Sequence, residues 1–318
     1  MSRTKIRQEL VARWEDCCDP AMLLEPSQFG QIGGREDFRG FTWHRVNEDG
    51  LAIGRFLSGD ATLANLDLSF ADINPFRLIK PRVSNVYAAD AKFWCLDWRE
   101  ANLTNCEFVR CEFKTPSVPF TRGHLSKCTF TACKLPPVLS WAATYDNCRI
   151  ENMRITGPRG GASSRNPLIT NTTVTGKWKE VELHQTVEGN QLAGCDLTGV
   201  DFGTAVFSYI DISQINVPDD IKRFTVVNWD EVLPTITQAV EQILATTNED
   251  SRANLHAQAA LSDLERDLLG YHEEAPDRPR GARYCTELKD AEEDNFPELL
   301  ELYKDAGAQF MLDPTATD

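Results

Sequence analysis

The feature that most constrains the fold of this chain is a five-residue spacing of large apolar side chains. Counting in steps of five from Ile53 to Val118 reaches fourteen positions, and twelve of them are Ile, Leu, Val, Phe or Trp. A step of five residues turns a side chain by about 140° around a helix, because a helix has about 3.6 residues per turn. In a strand the same step moves the side chain to the opposite face. The spacing therefore predicts a repeat of five-residue units rather than a regular helix or a flat sheet.

A second series of small or apolar residues lies two positions before the first. In "NCEFVRCEFKT" (105–115), Cys106 and Cys111 occupy the small positions, and Phe108 and Phe113 occupy the large ones. The positions in between carry most of the Asp, Asn, Glu, Arg and Lys. We therefore expect both apolar series to point inward and the remaining residues to face solvent.

The repeat continues beyond these residues with interruptions. Its phase slips by two residues and resumes over 125–155, and a further block covers 187–217. Upstream, Phe38 and Trp43 fit the first phase, but the next step falls on a Glu. We therefore expect "NEDG" (47–50) to loop out of the repeat.

Five segments, "ANLDL", "ADINP", "ANLTN", "CEFVR" and "CDLTG", resemble the pentapeptide-repeat family, whose unit is roughly A(D/N)LxX. The resemblance covers about 51–155 and 187–217. It implies a mainly β fold, a right-handed quadrilateral parallel β-helix in which each unit forms one side and four units form one coil. Residues 20 apart should then stack in ladders. Two such ladders are Ile53, Ile73, Phe93 and Phe113, and Trp43, Leu63, Val83 and Leu103.

This interpretation predicts an inward-facing core made of residues at the large positions. The residues that we assign to this core ladder are Leu63, Leu68, Ile73, Leu78, Phe93, Trp98, Leu103, Phe108, Phe113, Phe130, Ile150, Leu197, Phe202 and Phe207.

The ten cysteines of the chain favour buried thiols over a metal site or a disulfide framework. Without a secretion signal we expect them to be reduced. Only Cys17 and Cys18 lie close together outside the repeat, and adjacent residues do not provide the spaced pairs that zinc requires. We expect no metal and no cofactor. Six cysteines fall at the small inward position: Cys106, Cys111, Cys128, Cys133, Cys148 and Cys195.

The sequence divides into three predicted domains. Residues 1–36 form an N-terminal helix, over about 2–18, that caps the end of the solenoid, because Ser2 can cap the helix and Pro20 can end it. Residues 37–229 form the β-helix, interrupted by a loop at about 156–184. Residues 230–318 form an acidic α-helical domain with helices near 236–244, 255–268 and 298–304.

Charge separates the last domain from the rest. Residues 230–318 hold 21 Asp and Glu against 7 Lys and Arg, a net of −14, whereas the whole chain has a net charge of −15. Residues 51–155 hold 10 acidic and 13 basic residues, a net of +3. Candidate partner-binding residues are therefore sought in the loop and in the acidic domain. They are Arg159, Arg165, Glu292, Glu293 and Asp294.

No catalytic pattern is present in the sequence. The five histidines are scattered, and neither a G-x-S-x-G nucleophile motif nor a P-loop occurs. We therefore expect a protein that is not an enzyme. No apolar run is long enough to span a bilayer, and the first residues lack the apolar core of a signal peptide. These features predict a cytoplasmic protein without membrane contact.

Three functions remain open. The first is a protein–protein interaction scaffold in which a rigid β-helix supports an acidic helical domain that docks a protein partner or forms a homodimer through its helices. The second follows from the resemblance, which implies a DNA mimic that binds a type II topoisomerase (DNA gyrase or topoisomerase IV) and protects it from quinolones or toxins; the positive charge of 51–155 argues against it. The third is an effector or immunity-type protein. Direct nucleic-acid binding is disfavoured by the acidic pI of about 4.8.

Overall fold

The computed structural model describes most of the chain and divides it into two compact units. The described residues are 2–14, 19–44, 55–57, 61–74, 76–94, 96–114, 120, 122–134, 143–156, 168–179, 181–184, 192–202, 205–208, 210–248, 251–274, 281–294 and 296–314. The first unit comprises Met1–Val181 and Gly199–Gly203, and the second comprises Glu182–Thr198 and Thr204–Asp318.

The described strands are short, and most have three or four residues. In chain order they are β1 (Gln31–Ile32), β2 (Arg35–Asp37), β3 (Thr42–His44), β4 (Arg55–Leu57), β5 (Thr62–Ala64), β6 (Leu66–Asp67), β7 (Asp72–Asn74), β8 (Phe76–Ile79), β9 (Arg82–Ser84), β10 (Tyr87–Ala89), β11 (Lys92–Trp94), β12 (Leu96–Arg99), β13 (Asn102–Thr104), β14 (Glu107–Val109), β15 (Glu112–Lys114), β16 (His124–Ser126), β17 (Thr129–Thr131), β18 (Thr144–Asp146), β19 (Arg149–Thr156), β20 (Leu168–Thr170), β21 (Thr173–Lys179), β22 (Val181–His184), β23 (Asp196–Phe202), β24 (Ala205–Ser208), β25 (Thr225–Val226) and β26 (Arg283–Tyr284).

Four sheets form the walls of a parallel β-helix. Wall 1 has the order β1-β2-β6-β10-β14-β17-β19-β21-β23, and wall 2 has the order β15-β11-β7-β3. Wall 3 is β12-β8-β4, and wall 4 is β20-β18-β16-β13-β9-β5. Successive strands fall in successive walls, since β11, β12, β13 and β14 lie in walls 2, 3, 4 and 1. The chain therefore winds around four sides with one short strand on each, as the five-residue repeat predicts.

The strand register confirms much of the predicted stacking. In wall 4, Leu103 pairs with Val83, and Val83 pairs with Leu63, at intervals of 20 residues. In wall 2, Phe93 pairs with both Ile73 and Phe113. Each inward residue therefore contacts its equivalents in the neighbouring coils, which is how a solenoid buries its core.

One predicted ladder member lies in a different ladder. Trp43 pairs with Ile73 rather than standing opposite Leu63. The two positions are 30 residues apart, because the first coil holds ten residues more than the 20-residue repeat. The predicted loop at 47–50 falls in this longer coil, and both it and Ile53 lie outside the described residues.

Later coils also differ in length. Leu125 pairs with Leu103 at an interval of 22 residues, which confirms the predicted slip of two. Tyr145 pairs with Ile169 at an interval of 24. The prediction of a loop over 156–184 is therefore wrong for its second part, where β20, β21 and β22 form. The five-residue pattern did not predict this coil, because its four additional residues shift it out of phase with the coils before it. Residues 157–167 lie outside the described part of the chain.

The interior of the β-helix is closely packed with aromatic rings. All fourteen residues assigned to the core ladder are buried, with Phe202 the most exposed at 5%. Phe108 stacks on Phe130 with ring centroids 5.1 Å apart, and Phe93 stacks on Phe113 at the same distance. Phe120, from the interruption between coils, packs against Trp98 at 6.2 Å. These rings join consecutive coils into one continuous core.

One corner of the β-helix explains the recurring asparagines. The residue between walls 4 and 1 has a positive φ in successive coils, a conformation that Asn adopts more readily than most residues. Asn85 also donates from Nδ2 to Oδ1 of Asn65 at 2.8 Å, which links two coils. The residues at this corner with φ between 49° and 56° are Asn65, Asn85, Asn105, Lys127, Asn147 and Asn171.

The six inward cysteines pack as small buried residues. None of them forms a disulfide, and all are at most 4% exposed. The thiol of Cys133 donates to the carbonyl of Phe108 at 3.2 Å, and that of Cys111 donates to the carbonyl of Ala88 at 3.3 Å. Hydrogen bonding to Cys133 together with burial raises the pKa of Cys111. These contacts give the thiols a structural role.

Helix α1 (Arg3–Ala12) lies along several coils, whereas the sequence predicted a cap over the end of the stack. Arginines in α1 and directly after it reach carboxylates of successive coils. Arg13 pairs with Asp37 at 2.6 Å. Arg7 pairs with Asp72 at 3.1 Å, and Arg3 with Asp90 at 3.9 Å. The backbone of Leu10 also fills the space beside Gly40, where a Cβ would meet its carbonyl carbon at 2.5 Å. The Ser2 side chain accepts from Lys5 N, as expected for an N-cap.

The carboxylate of Asp37 links α1 to the first coil. Burial would raise its pKa, but hydrogen bonds from the guanidinium groups of Arg39 and Arg13 outweigh burial and hold the pKa well below its ordinary value of 3.8. Near it, Trp14 donates to the carbonyl of Arg39 at 2.9 Å and packs against Phe38. The cluster fixes the start of the β-helix.

We expect Asp37→Asn to lower the melting temperature at neutral pH and to make the melting temperature less sensitive to acid. Because the folded pKa of Asp37 is depressed, its contribution to stability is present above about pH 4 and is lost as the pH falls below that value. In thermal melts from neutral pH down to pH 2, the difference between the wild type and the variant should therefore be constant above about pH 4 and narrow below it. The control is Glu9→Gln, which changes an exposed carboxylate of α1; an equal shift in both variants would contradict the role of Asp37.

The second unit is mainly helical. It contains α2 (Asp219–Arg223), α3 (Trp229–Thr246), α4 (Arg252–Glu274), α5 (Thr286–Glu293), α6 (Glu298–Asp305) and a short 3-10 helix at Ile212–Gln214. The first unit has a 3-10 helix at Pro20–Leu24. The three predicted helices correspond to α3, α4 and α6. The structure adds α5 and the antiparallel pair β25–β26.

The division between the units falls earlier than the predicted boundary at 229/230. Cys285 N donates to the carbonyl of Phe224 at 2.9 Å, and Val227 N donates to that of Gln309 at 2.8 Å. Residues just before 230 thus hydrogen-bond to the helical segment that follows. These long-range bonds leave no trace in the local five-residue pattern.

A buried aromatic pair holds α3 and α6 together. Trp229 stacks on Tyr303 with centroids 6.4 Å apart, and both side chains are 0% exposed. The Tyr303 hydroxyl donates to Oε1 of Glu287 on α5 at 2.7 Å. The three helices are therefore fixed to one another around a common core.

Candidate interaction surfaces

Several outward charges on the described walls are paired between consecutive coils. Arg110 pairs with Asp90 at 2.7 Å, and Lys80 pairs with Glu100 at 3.2 Å. Further pairs at longer intervals are Lys134 with Glu112 at 3.8 Å and Lys177 with Asp201 at 2.9 Å. The described walls therefore present carboxylates beside cations rather than rows of negative charge.

The predicted partner-binding carboxylates are exposed but already have basic side chains as neighbours: a guanidinium, an ammonium and an imidazole. Glu292 pairs with Arg223 at 3.2 Å, which links α5 to α2. Glu293 pairs with Lys289 at 3.8 Å, and Asp294 lies 3.4 Å from His256 of α4. The structure thus places these three residues in contacts within the second unit. The other two candidates, Arg159 and Arg165, lie outside the described residues.

An open groove of about 660 Å³ lies between α3 and α6. On one side it is lined by residues of α3 at helical spacing, and on the other by residues of α6 and the residues directly before and after that helix. The lining residues are Thr235, Ala239, Gln242, Ile243, Thr246, Pro297, Glu298, Glu301, Leu302, Asp305 and Ala306.

The lining of the groove includes half-buried apolar residues, here called the floor, and exposed carboxylates, here called the rim. The floor residues are Ala239 and Ile243 from the α3 side and Leu302 and Ala306 from the α6 side. Glu298 and Asp305 are exposed on the α6 side, whereas Glu301 pairs with Lys304 at 2.8 Å. Such a surface can bind an apolar side chain next to a cationic one.

Sequence reasoning did not find this groove. One signal in the sequence could have indicated it: small or polar residues recur at helical spacing at 235, 239, 242 and 246, beside the apolar stripe of α3. The acidic stripe of α6 at 298, 301 and 305 was a second signal. Only the packing of Trp229 on Tyr303 shows that the two stripes lie side by side.

Within the described part of the chain, no group of three or more His, Cys, Asp or Glu is arranged to hold a metal ion. Among the helices in the same residues, none is both long and apolar enough to cross a membrane.

Comparison with known proteins found solved structures of low similarity. No family model and no curated protein matches it. A trypsin-treated form of QnrB1, a plasmid-mediated fluoroquinolone resistance protein, is 15% identical, with 50% of this chain and 91% of that chain covered and a TM-score of 0.38. HetL, a pentapeptide-repeat protein involved in heterocyst differentiation regulation from the cyanobacterium Nostoc sp. strain PCC 7120, is 15% identical, with 58% and 85% covered and a TM-score of 0.23.

Similarities at this level carry no argument, so the description of the fold rests on the strand pairing and the repeat. By its five-residue units and its four parallel walls, the chain has the fold of the pentapeptide-repeat proteins.

Proposed function

We propose that this protein is a non-enzymatic scaffold for protein–protein interaction, in which the β-helix is the support and the second unit is the recognition module. The observation that carries this proposal is the groove between α3 and α6, an open apolar surface bordered by exposed carboxylates. Pockets of about 300–1,000 Å³ are typical of binding sites. On the described walls, by contrast, the carboxylates of Asp90, Glu100 and Glu112 already pair with cations of neighbouring coils.

The packed core of the β-helix favours its role as a rigid support. Its stacked rings, such as Phe108 on Phe130, join the coils into one packed body, and close packing leaves little freedom for relative movement of the coils. A support of this kind keeps its own shape when a partner binds.

The alternative of a DNA mimic that binds a type II topoisomerase is less well supported. A mimic must present dense negative charge to a protein groove that normally binds phosphates. On the described walls the carboxylates of Asp90, Glu100 and Glu112 pair with cations of neighbouring coils. Such pairs reduce the field that would attract a phosphate-binding surface.

We expect the purified protein to leave DNA gyrase unaffected. Supercoiling would be measured with and without a quinolone, over rising concentrations of the full chain. The expected result is no inhibition of supercoiling and no protection from the drug, because carboxylates on the described walls, such as Asp90 and Glu100, pair with cations of neighbouring coils. Protection at sub-stoichiometric or equimolar protein would support the mimic and overturn the choice of function.

The scaffold itself is tested by capture of a partner on the full chain from the native host, followed by reconstitution with the purified partner. The expected result is a stoichiometric complex that forms without turnover of the partner. If no protein forms a complex with the purified chain, or if the captured protein is chemically altered as a substrate, the scaffold proposal fails. This test does not depend on which surface the partner contacts.

A further inference from the structure

We infer that the groove between α3 and α6 binds a basic amphipathic helix of a partner protein. The inference rests on the proposed scaffold function and specifies its recognition surface and the chemistry of the partner. It commits to an occupant with a small or aliphatic apolar face flanked by Lys or Arg.

The shape of the groove favours a helix. The lining residues of α3 run from Thr235 to Thr246, which corresponds to about 16 Å along the helix axis at ~1.5 Å per residue. This length equals about three turns of a helix. Two packed helices form a groove into which the ridge of a third helix fits. The floor residues Ala239 and Ala306 are small, so the backbone of a third helix can approach closely.

The apolar floor is incompletely covered by the second unit. The buried stripe of α3 comprises Trp229, Val232, Leu233, Ile236 and Val240 and ends there, whereas Ile243 in the next turn is only half-buried. On α6, Leu299 and Tyr303 are buried, but Leu302 is half-buried. Apolar surface therefore remains available on both helices at the same place, and covering it would remove it from water.

Charge determines which helix fits. Helices α3 and α6 together carry six acidic residues and one basic residue, a net of −5, and that one cation, Lys304, pairs with Glu301. Glu298 and Asp305 remain exposed at the rim, about two turns apart on α6. Lys or Arg residues on a bound helix can pair with them, which speeds encounter and suppresses acidic competitors.

A second copy of this chain is a poorer occupant. An α3–α6 surface from another molecule would bring a second net charge of −5 against the first, and like charges across an interface are unfavourable. A basic helix removes that repulsion. The homodimer predicted from the sequence is therefore an outcome to be distinguished by the test.

The test uses the full chain and a synthetic peptide of about 14 residues, or roughly four helical turns, with Leu and Ala on one face and Lys on the other. Binding would be followed by fluorescence anisotropy of the labelled peptide. We expect saturable binding that weakens as salt is raised. Two control peptides, one with the same composition in scrambled order and one with Glu in place of Lys, should bind much more weakly.

Paired charge reversals locate the site. Glu298→Lys combined with Asp305→Lys should weaken peptide binding about tenfold, since each exposed ion pair contributes up to about 1 kcal/mol and about 1.4 kcal/mol is a factor of ten. The matched control is Glu231→Lys combined with Glu241→Lys, which changes net charge equally on exposed positions of α3 outside the groove. Glu231 also lies in the first turn of its helix, as Glu298 does, so the helix-dipole cost is similar.

A steric variant keeps the test independent of charge. Ala239→Trp places a large ring on the groove floor and should abolish binding while the circular dichroism spectrum stays unchanged. Equal binding by both charge-reversed proteins, or full binding by Ala239→Trp, would overturn the inference. A concentration-dependent dimer in analytical ultracentrifugation that is lost in Ala239→Trp would also overturn it. If the captured host partner still binds Ala239→Trp, the groove inference fails but the scaffold proposal stands.

Discussion

Phe108→Asp is expected to unfold at least the central coils of the β-helix. The Phe108 side chain is 0% exposed and packs between Phe113 at 5.5 Å and Phe130 at 5.1 Å. Removing the ring alone would cost about 3–5 kcal/mol. A carboxylate in its place would also be buried without a partner, which adds a desolvation cost or forces protonation. Far-UV circular dichroism at room temperature should show loss of most β signal.

The matched control introduces the same carboxylate at an outward position. Thr104 is exposed on wall 4, one repeat before Phe108, so Thr104→Asp should shift the melting temperature little. Changes at exposed positions usually stay within about 0.5 kcal/mol. If Phe108→Asp melted at the wild-type temperature, the assignment of the large positions to the interior would be wrong.

Gly176→Ala is expected to give the second-largest loss of stability. Gly176 has a φ of +123°, outside the range that residues with a side chain normally adopt, and lies opposite Met153 where the register between β19 and β21 shifts. A Cβ at this position would lie 2.1 Å from the carbonyl oxygen of Met153 and 2.6 Å from its nitrogen. Both are backbone atoms, so the strands themselves must separate. We expect a large drop in melting temperature and faster amide hydrogen exchange in β19 and β21.

Gly33→Ala is the control that separates the destabilisation caused by a steric clash from that caused by a positive φ. Gly33 also has a positive φ, of +56°, but nothing lies within 4 Å of the position of its Cβ. Its substitution should therefore cost only the left-handed strain of about 1–2 kcal/mol. A drop in melting temperature for Gly176→Ala no larger than that for Gly33→Ala would show that β19 and β21 do not approach as closely as described.

The sequence predicted the β-helix well because its repeat is local and every unit has the same role. A single spacing is enough to place Leu63, Val83 and Leu103 in one ladder. Its errors come from insertions, which change coil length without changing the character of the repeat. Trp43 lies in the ladder of Ile73 because its coil is ten residues longer than the repeat. An apolar pattern alone does not show how many additional residues a coil contains.

The candidate site was much less predictable than the fold. The sequence indicated an acidic helical segment but selected Glu292, Glu293 and Asp294, which proved to have neighbours of their own. The groove depends on which sides of α3 and α6 meet, and that is decided by the stacking of Trp229 on Tyr303, residues 74 positions apart. A contact of this kind is set by tertiary packing and has no local periodicity.

Hydrogen–deuterium exchange on the full chain, with and without the captured partner, tests the central claim most directly. The account predicts that bound partner slows exchange mainly in 235–246 of α3 and 297–306 of α6, while the walls of the β-helix exchange as they do in the free protein. Slower exchange confined to a wall, with α3 and α6 unchanged, would show that the β-helix itself is the recognition surface and would contradict the assignment of recognition to the helical unit.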